Sequence, residues 1–134
     1  MKAAKLTEAV KTGTKAGYVL IATADPEGMP HIAAAGRIEL EGRDTVAITE
    51  WFCPGTVANL QKNTAVSVVA WDRASDRGYQ LLGRLETAKD VAVLDGYAPG
   101  LEGEPPLPQV RRRLLIHVDR AMDFRLAPHS DTED

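Results

Sequence analysis

The chain lacks the marks of several functional classes. Cys53 is its only cysteine, so no intrachain disulfide can form. His31, His117 and His129 are its only histidines, and none stands at metal-ligand spacing from another or from Cys53. No metal site is therefore expected. No apolar run is long enough to span a bilayer, and no secretory h-region opens the sequence. Together with the single cysteine, this sets a reducing cytoplasm as the expected compartment, with no membrane partner. Basic residues are not in excess: 16 Lys and Arg face 19 Asp and Glu, for a net charge of −3. Long-range attraction to nucleic acid is not favoured, and no nucleic-acid partner is expected. No internal repeat and no convincing catalytic triad are present, so the sequence names no acid, base or nucleophile.

What is present fits a globular domain. The 134 residues are 44% hydrophobic and 26% charged, enough for one core without staples. We read residues 1–134 as a single domain, with 128–134 as a flexible acidic tail.

Along the chain, Leu6, Ala9 and Val10 share a helical face over Ala3 to Lys11, with Gly13 as a stop. Tyr18 to Ala24 reads as a strand, Asp25-Pro-Glu-Gly28 as a turn, and Pro30 to Leu40 as the returning strand. Alternation along that return places His31, Ala33, Ala35, Arg37 and Glu39 on one face. Ala34, Gly36 and Ile38 lie on the other. A second turn leads into Thr45 to Trp51. Pro54-Gly55-Thr56 then opens a short helix ending near Asn63, and Ala65 to Trp71 is another strand.

Further strands are expected over Tyr79 to Thr87 and Leu114 to Asp119, the latter continuing or pairing through Ala121 to Leu126. Asp90 caps a helix carrying Val91, Val93 and Leu94, and Pro108 to Arg112 starts a helical turn. The proline-rich stretch 99–108 is a loop. Short strands joined by tight turns, with few helices, predict a mainly β, antiparallel barrel with peripheral helices.

The strand–turn–helix at Cys53-Pro-Gly-Thr56 carries the strongest functional signal. Free N–H groups at a helix mouth, with a hydroxyl beside them, suit a phosphate. Thr56 either binds that phosphate or caps the helix. The small residues Ala33, Ala34, Ala35 and Gly36 admit either a flat ring against the backbone or a close partner strand. Arg37 reaches a phosphate or is a solvated or paired surface arginine. Trp51 and Trp71 stack on a ring or serve core and interface; Trp51 adjoins the turn and is the better candidate. Cys53 reads as an inert thiol, and His31 as a structural hydrogen-bonding residue. Arg111-Arg-Arg113 reads as a solvated face or a source of salt bridges across a dimer.

Two blocks carry a resemblance. Tyr-Val-Leu-Ile-Ala-Thr-Ala-Asp (18–25) followed by Glu27-Gly-Met-Pro-His31 is one. Thr56-Val-Ala-Asn-Leu60 followed by Ala65-Val-Ser-Val-Val-Ala-Trp71 is the other. In order and spacing they resemble the pyridoxamine 5′-phosphate oxidase-like, FMN-binding split-barrel family. The resemblance implies a split β-barrel, a homodimer and an FMN bound near the subunit interface, in an oxidoreductase-like protein of unspecified substrate. A deazaflavin is the alternative cofactor, and a non-catalytic dimer with another ligand or none is the alternative role. By position, the resemblance puts the cofactor contacts at Ala34, Ala35, Arg37, Thr49, Trp51, Gly55 and Thr56. Many members carry Lys or Arg in the phosphate turn, where this chain has Cys53-Pro54-Gly55. A phosphate there relies on backbone N–H groups, the Thr56 hydroxyl and Arg37.

Overall fold

The computed structural model describes residues 2–52, 54–94 and 109–133. It contains two helices, α1 (Lys2–Ala16) and α2 (Pro54–Lys62), and seven strands. These are β1 (Val19–Ala24), β2 (Pro30–Ala35), β3 (Arg37–Leu40), β4 (Thr45–Phe52), β5 (Ala65–Asp72), β6 (Arg77–Leu94) and β7 (Gln109–Asp123). All pair antiparallel in one sheet of order β2-β1-β5-β6-β7-β4-β3. The edge strands β2 and β3 are consecutive in the chain, separated by Gly36 alone. One covalent step joins the two edges, and β2 comes to lie against β4. The sheet therefore curls on itself as a split barrel, as the turn-rich β pattern predicts.

Alternation explains the core. Val19 and Ile21 of β1, Ile48 of β4, Val68 of β5, Leu81 of β6 and Leu114, Ile116 and Val118 of β7 face inward and are buried. Helix α1 seats Leu6 and Ala9 against them. Gly13 does not stop this helix. It is a buried contact point, where a Cβ would come within 2.8 Å of both Ile38 and Val19 side chains. The stop is Gly17, at φ +85°, whose N–H bonds the Gly13 carbonyl.

Three further local expectations need correction. Pro30 to Leu40 is two strands rather than one, and the Gly36 bend shifts the alternation by one residue. Ala35 and Ile38 both face the core, while Ala34 and Arg37 are both exposed. Asp90 caps no helix: β6 runs on through Leu94, paired with β7 across bulges between Leu85 and Thr87 and between Asp90 and Ala92. Residues Gln109 to Arg112 form the start of β7, not a helical turn. Cys53 and the loop at 99–108 lie outside the described residues. Among the described residues, no helix is long and apolar enough to cross a membrane.

After β7 the chain returns toward β6. Arg125 and Ser130 form an isolated bridge, and Thr132 accepts a bond from the Asp123 N–H. Asp76 fastens this segment from a left-handed backbone conformation, φ 53°, which Asp tolerates better than most residues. Its carboxylate accepts bonds from the N–H groups of Leu126 (2.9 Å) and Ala127 (2.8 Å) and from Trp71 Nε1 (3.0 Å). The Leu126 and Ala127 N–H groups hold the carboxyl below its ordinary value of 3.8, with Trp71 and Arg125 adding to the effect. A lowered folded pKa gives a contribution that is whole above the unfolded value and lost as pH falls through the folded one. Acidification below about 3.8 is thus expected to release the segment and shift Trp71 emission in a Trp51→Phe background. Asp76→Asn should lack that acid transition, and its persistence there would assign it to other carboxylates.

Candidate functional site

The bend at Gly36 gathers the first cluster. Ala34 is exposed on the outer face just before it, and Arg37 is exposed just after it. Arg37 is in direct register with Thr49 of β4, and Thr49 with Arg113 of β7. Directly paired antiparallel residues share a face, so Arg37, Thr49 and Arg113 form a row on the outside of the barrel. Lys89 of β6, paired with Arg113, extends it. Thr49 is only 8% exposed, in the middle of the row. Trp51 is in register with Arg111; its side chain lies outside the described residues.

Helix α2 builds the second cluster by packing on β1 and β2. Thr23 and His31 are register partners across that hairpin, both toward the helix. Asn59 donates from Nδ2 to Thr23 Oγ1 at 3.0 Å, and Thr56 Oγ1 lies 3.3 Å from His31 Nδ1. The Thr56 side chain is fully buried. At Gly55, a Cβ would stand 3.3 Å from His31 Nε2. The imidazole therefore covers the first turn of α2 and engages its hydroxyl.

The seven residues named from the sequence thus separate. Ala34, Arg37 and Thr49 come together at the bend, and the Trp51 backbone continues the same strand. Gly55 and Thr56 lie with His31 at the far end of β2. Ala35 is 2% exposed and in register with Val19, so its side chain belongs to the core and only its backbone is near the bend.

Two features of the site are only weakly signalled in the sequence. His31 is the residue that closes the α2 turn. The run Arg111 to Arg113 is a strand, so its members alternate in facing. Arg112 turns to the core side and is paired with Asp90, Nε to Oδ1 2.7 Å, with the N–H not aimed for a hydrogen bond. Arg113 faces the row and is ion-paired with Glu41. Arg111 lies on the same side, and its buried Nε has no hydrogen-bond partner among the described residues. The signal for this in the sequence is that the Leu114 strand can extend back through Arg111. Among the described residues, no group of three or more His, Cys, Asp or Glu gathers as a metal site.

The family model described as Pyridoxamine 5′-phosphate oxidase matches residues 6–120. No curated protein sequence matches the chain. Solved structures do. An FMN-binding protein from Syntrophomonas wolfei subsp. wolfei is 17% identical, with TM-score 0.62, over 90% of this chain and 87% of that one. A pyridoxamine 5′-phosphate oxidase-related, FMN-binding protein from Nostoc punctiforme is 14% identical, with TM-score 0.64, over 92% and 84%. An F420 reductase is 17% identical, with TM-score 0.55, over 78% and 87%. At these identities the likeness is one of fold.

Proposed function

This chain belongs to the pyridoxamine 5′-phosphate oxidase family, and we propose that it is a homodimeric flavin-binding protein of oxidoreductase type, with FMN at the Gly36 bend. The observation that carries this reading is the grouping of Ala34, Arg37 and Thr49 on the outer face where β2 gives way to β3. Ala34 lacks bulk, so a planar ring can approach the β2 backbone there. Thr49 offers a hydroxyl, and Arg37 an exposed guanidinium. Among the described residues no carboxylate pairs with Arg37.

These residues fit an anionic, partly planar group. The buried Arg111 Nε beside the row, without a partner among the described residues, is a donor that an anionic oxygen would satisfy. A bound flavin would supply hydride or electron transfer. The protein's own part is to orient the ring with Ala34 and Thr49 and to neutralise charge with arginine. The outer face of β1 and β2 also exposes Tyr18, Leu20 and Ile32, the last 65% accessible. An apolar sheet face of this kind supports a second copy as partner.

One experiment tests both parts. The purified protein is mixed with FMN and desalted, then followed by visible absorption and light scattering together. We expect about one flavin per subunit and a mass twice 14.5 kDa. A colourless eluate would remove the FMN reading, and a monomeric mass would remove the dimer.

A second reading has its own support. Because His31 fills the α2 turn, the site differs from one that grips a phosphate there, and an F420 reductase shares the fold. Retention of a deazaflavin by protein that releases FMN would favour this reading. Retention of neither would leave a dimer that takes another ligand or acts without one.

A further inference from the structure

The proposed flavin site leaves open where the phosphate of the nucleotide is held, since the α2 turn has no cation. We propose that Arg37 of β3 and Arg113 of β7, standing on either side of Thr49, hold that phosphate, with Arg111 at the edge of the subsite. The inference rests on the flavin reading above.

Strand pairing fixes the geometry. Arg37 and Arg113 both pair directly with Thr49 and so share its face. Adjacent strands lie roughly 4.8 Å apart, which puts the two arginine Cα atoms about 10 Å from each other. Two guanidinium groups can close on one phosphate across that span, with Thr49 Oγ1 at its floor. Arg113 is already bonded to Glu41, but a guanidinium has several N–H donors and can serve a carboxylate and a phosphate together. Lys89, next in the row, adds positive charge without a carboxylate partner among the described residues.

Two contrasts strengthen the assignment. Arg112, between the two outward arginines in sequence, faces the other way and is neutralised by Asp90. On the outward face Arg113 shares its charge with Glu41, while Arg37 across β4 has no carboxylate partner among the described residues. The α2 turn, the alternative seat, has its hydroxyl engaged by His31 and its glycine covered by the same imidazole. A phosphate placed there would first have to displace that ring. At the row, by contrast, Arg37 is open and Arg111 carries a buried Nε without a hydrogen-bond partner among the described residues.

FMN and riboflavin differ only by the phosphate, so their relative affinity isolates this subsite. Dissociation constants for both would be measured by quenching of flavin fluorescence. The proteins compared are wild type, Arg37→Ala, Arg113→Ala, Arg113→Lys, His31→Ala, Thr56→Val and Arg73→Ala, an exposed turn arginine with the same charge change. Circular dichroism would confirm that each is folded. Wild type should prefer FMN, and Arg37→Ala and Arg113→Ala should each cut that preference by roughly tenfold or more, with riboflavin affinity unchanged. Arg113→Lys should keep part of it, which holds the test open if the alanine variant fails to fold. Arg73→Ala should keep all of it. If the preference survives in the arginine variants and collapses in His31→Ala or Thr56→Val, the phosphate sits at the α2 turn and the inference is overturned. If wild type binds both flavins equally, the flavin reading stands and the phosphate subsite falls. If wild type binds neither, both fall together.

Discussion

Gly83→Ala is expected to leave little folded protein. Gly83 sits on β6 at a register shift and is the Cα partner of Val118 on β7. A Cβ built there would overlap the His117 carbonyl oxygen, lie 2.9 Å from that carbonyl carbon and 3.0 Å from Val118 Cα. These are backbone atoms in the middle of the sheet, so no flexible side chain can move aside. Overpacking commonly costs about 1–3 kcal/mol, and a backbone clash belongs at or beyond the upper end. Whole-domain stability is on the order of 5–15 kcal/mol, so the loss is severe. Urea unfolding monitored by circular dichroism would measure it. A midpoint within error of wild type would mean that β7 can shift to admit the methyl group. In that case the Arg113–Thr49 pairing should shift as well, and flavin binding in the same variant would report it.

Ile48→Ala has the second largest expected effect. Ile48 is fully buried on β4, in register with Ile38 of β3 on one side and Leu114 of β7 on the other. Its removal opens a cavity between the strands that carry Arg37 and Arg113. Such truncations cost about 2–5 kcal/mol, the spread reflecting how far the surroundings collapse. For a domain of this size, the melting temperature should fall by roughly 10 °C. Ile48→Val removes less volume and should cost about 0.5–1.5 kcal/mol. Equal losses in the two variants would contradict a cavity mechanism and point to strand pairing instead. The buried side chain is inward while its neighbour Thr49 faces the arginine row. The same substitution therefore tests whether the site depends on the rigidity of β4.

The parts of this structure legible in the sequence are those decided locally. Pro and Gly in Asp25-Pro-Glu-Gly28 mark the first hairpin, and the alternating run of Thr45 to Trp51 marks β4. The opening of α2 at Pro54 follows from a residue preadapted to a first helical turn. The barrel class and the family resemblance rest on these local signals. What was not legible depends on partners remote in sequence. Val91 and Val93 fit a strand as well as a helix, and only the pairing of Asp90, Ala92 and Val93 with Arg112, Arg111 and Val110 of β7 decides for the strand. Likewise Gln109 to Arg112 are extended because β4 and β6 flank them.

The candidate site was readable to the same degree. Arg37 and Thr49 are both candidates from the sequence, but nothing in the spacing says that they stand side by side. The Gly36 bend changed which alanine is exposed, because one glycine can absorb a break in alternation that a sequence pattern cannot locate. Arg113 is not legible as a site residue, because a run of three like charges reads as a solvated patch until its strand is recognised. His31 was assigned a structural bond. That bond exists, and its position over Gly55 gives it a further consequence for where a phosphate can go.

The strand order also governs how the molecule must be assembled during synthesis. β3 and β4 are consecutive and can form a hairpin at once, but the strand that covers the other side of β4 is β7, which is made only after α2, β5 and β6. Until β7 emerges, β4 presents a bare row of N–H and C=O groups to any neighbouring nascent chain. The long interval before its partner arrives makes this the exposed seam of the unfinished protein. Completion of β7 seals the seam and, in the same movement, brings Arg113 beside Thr49.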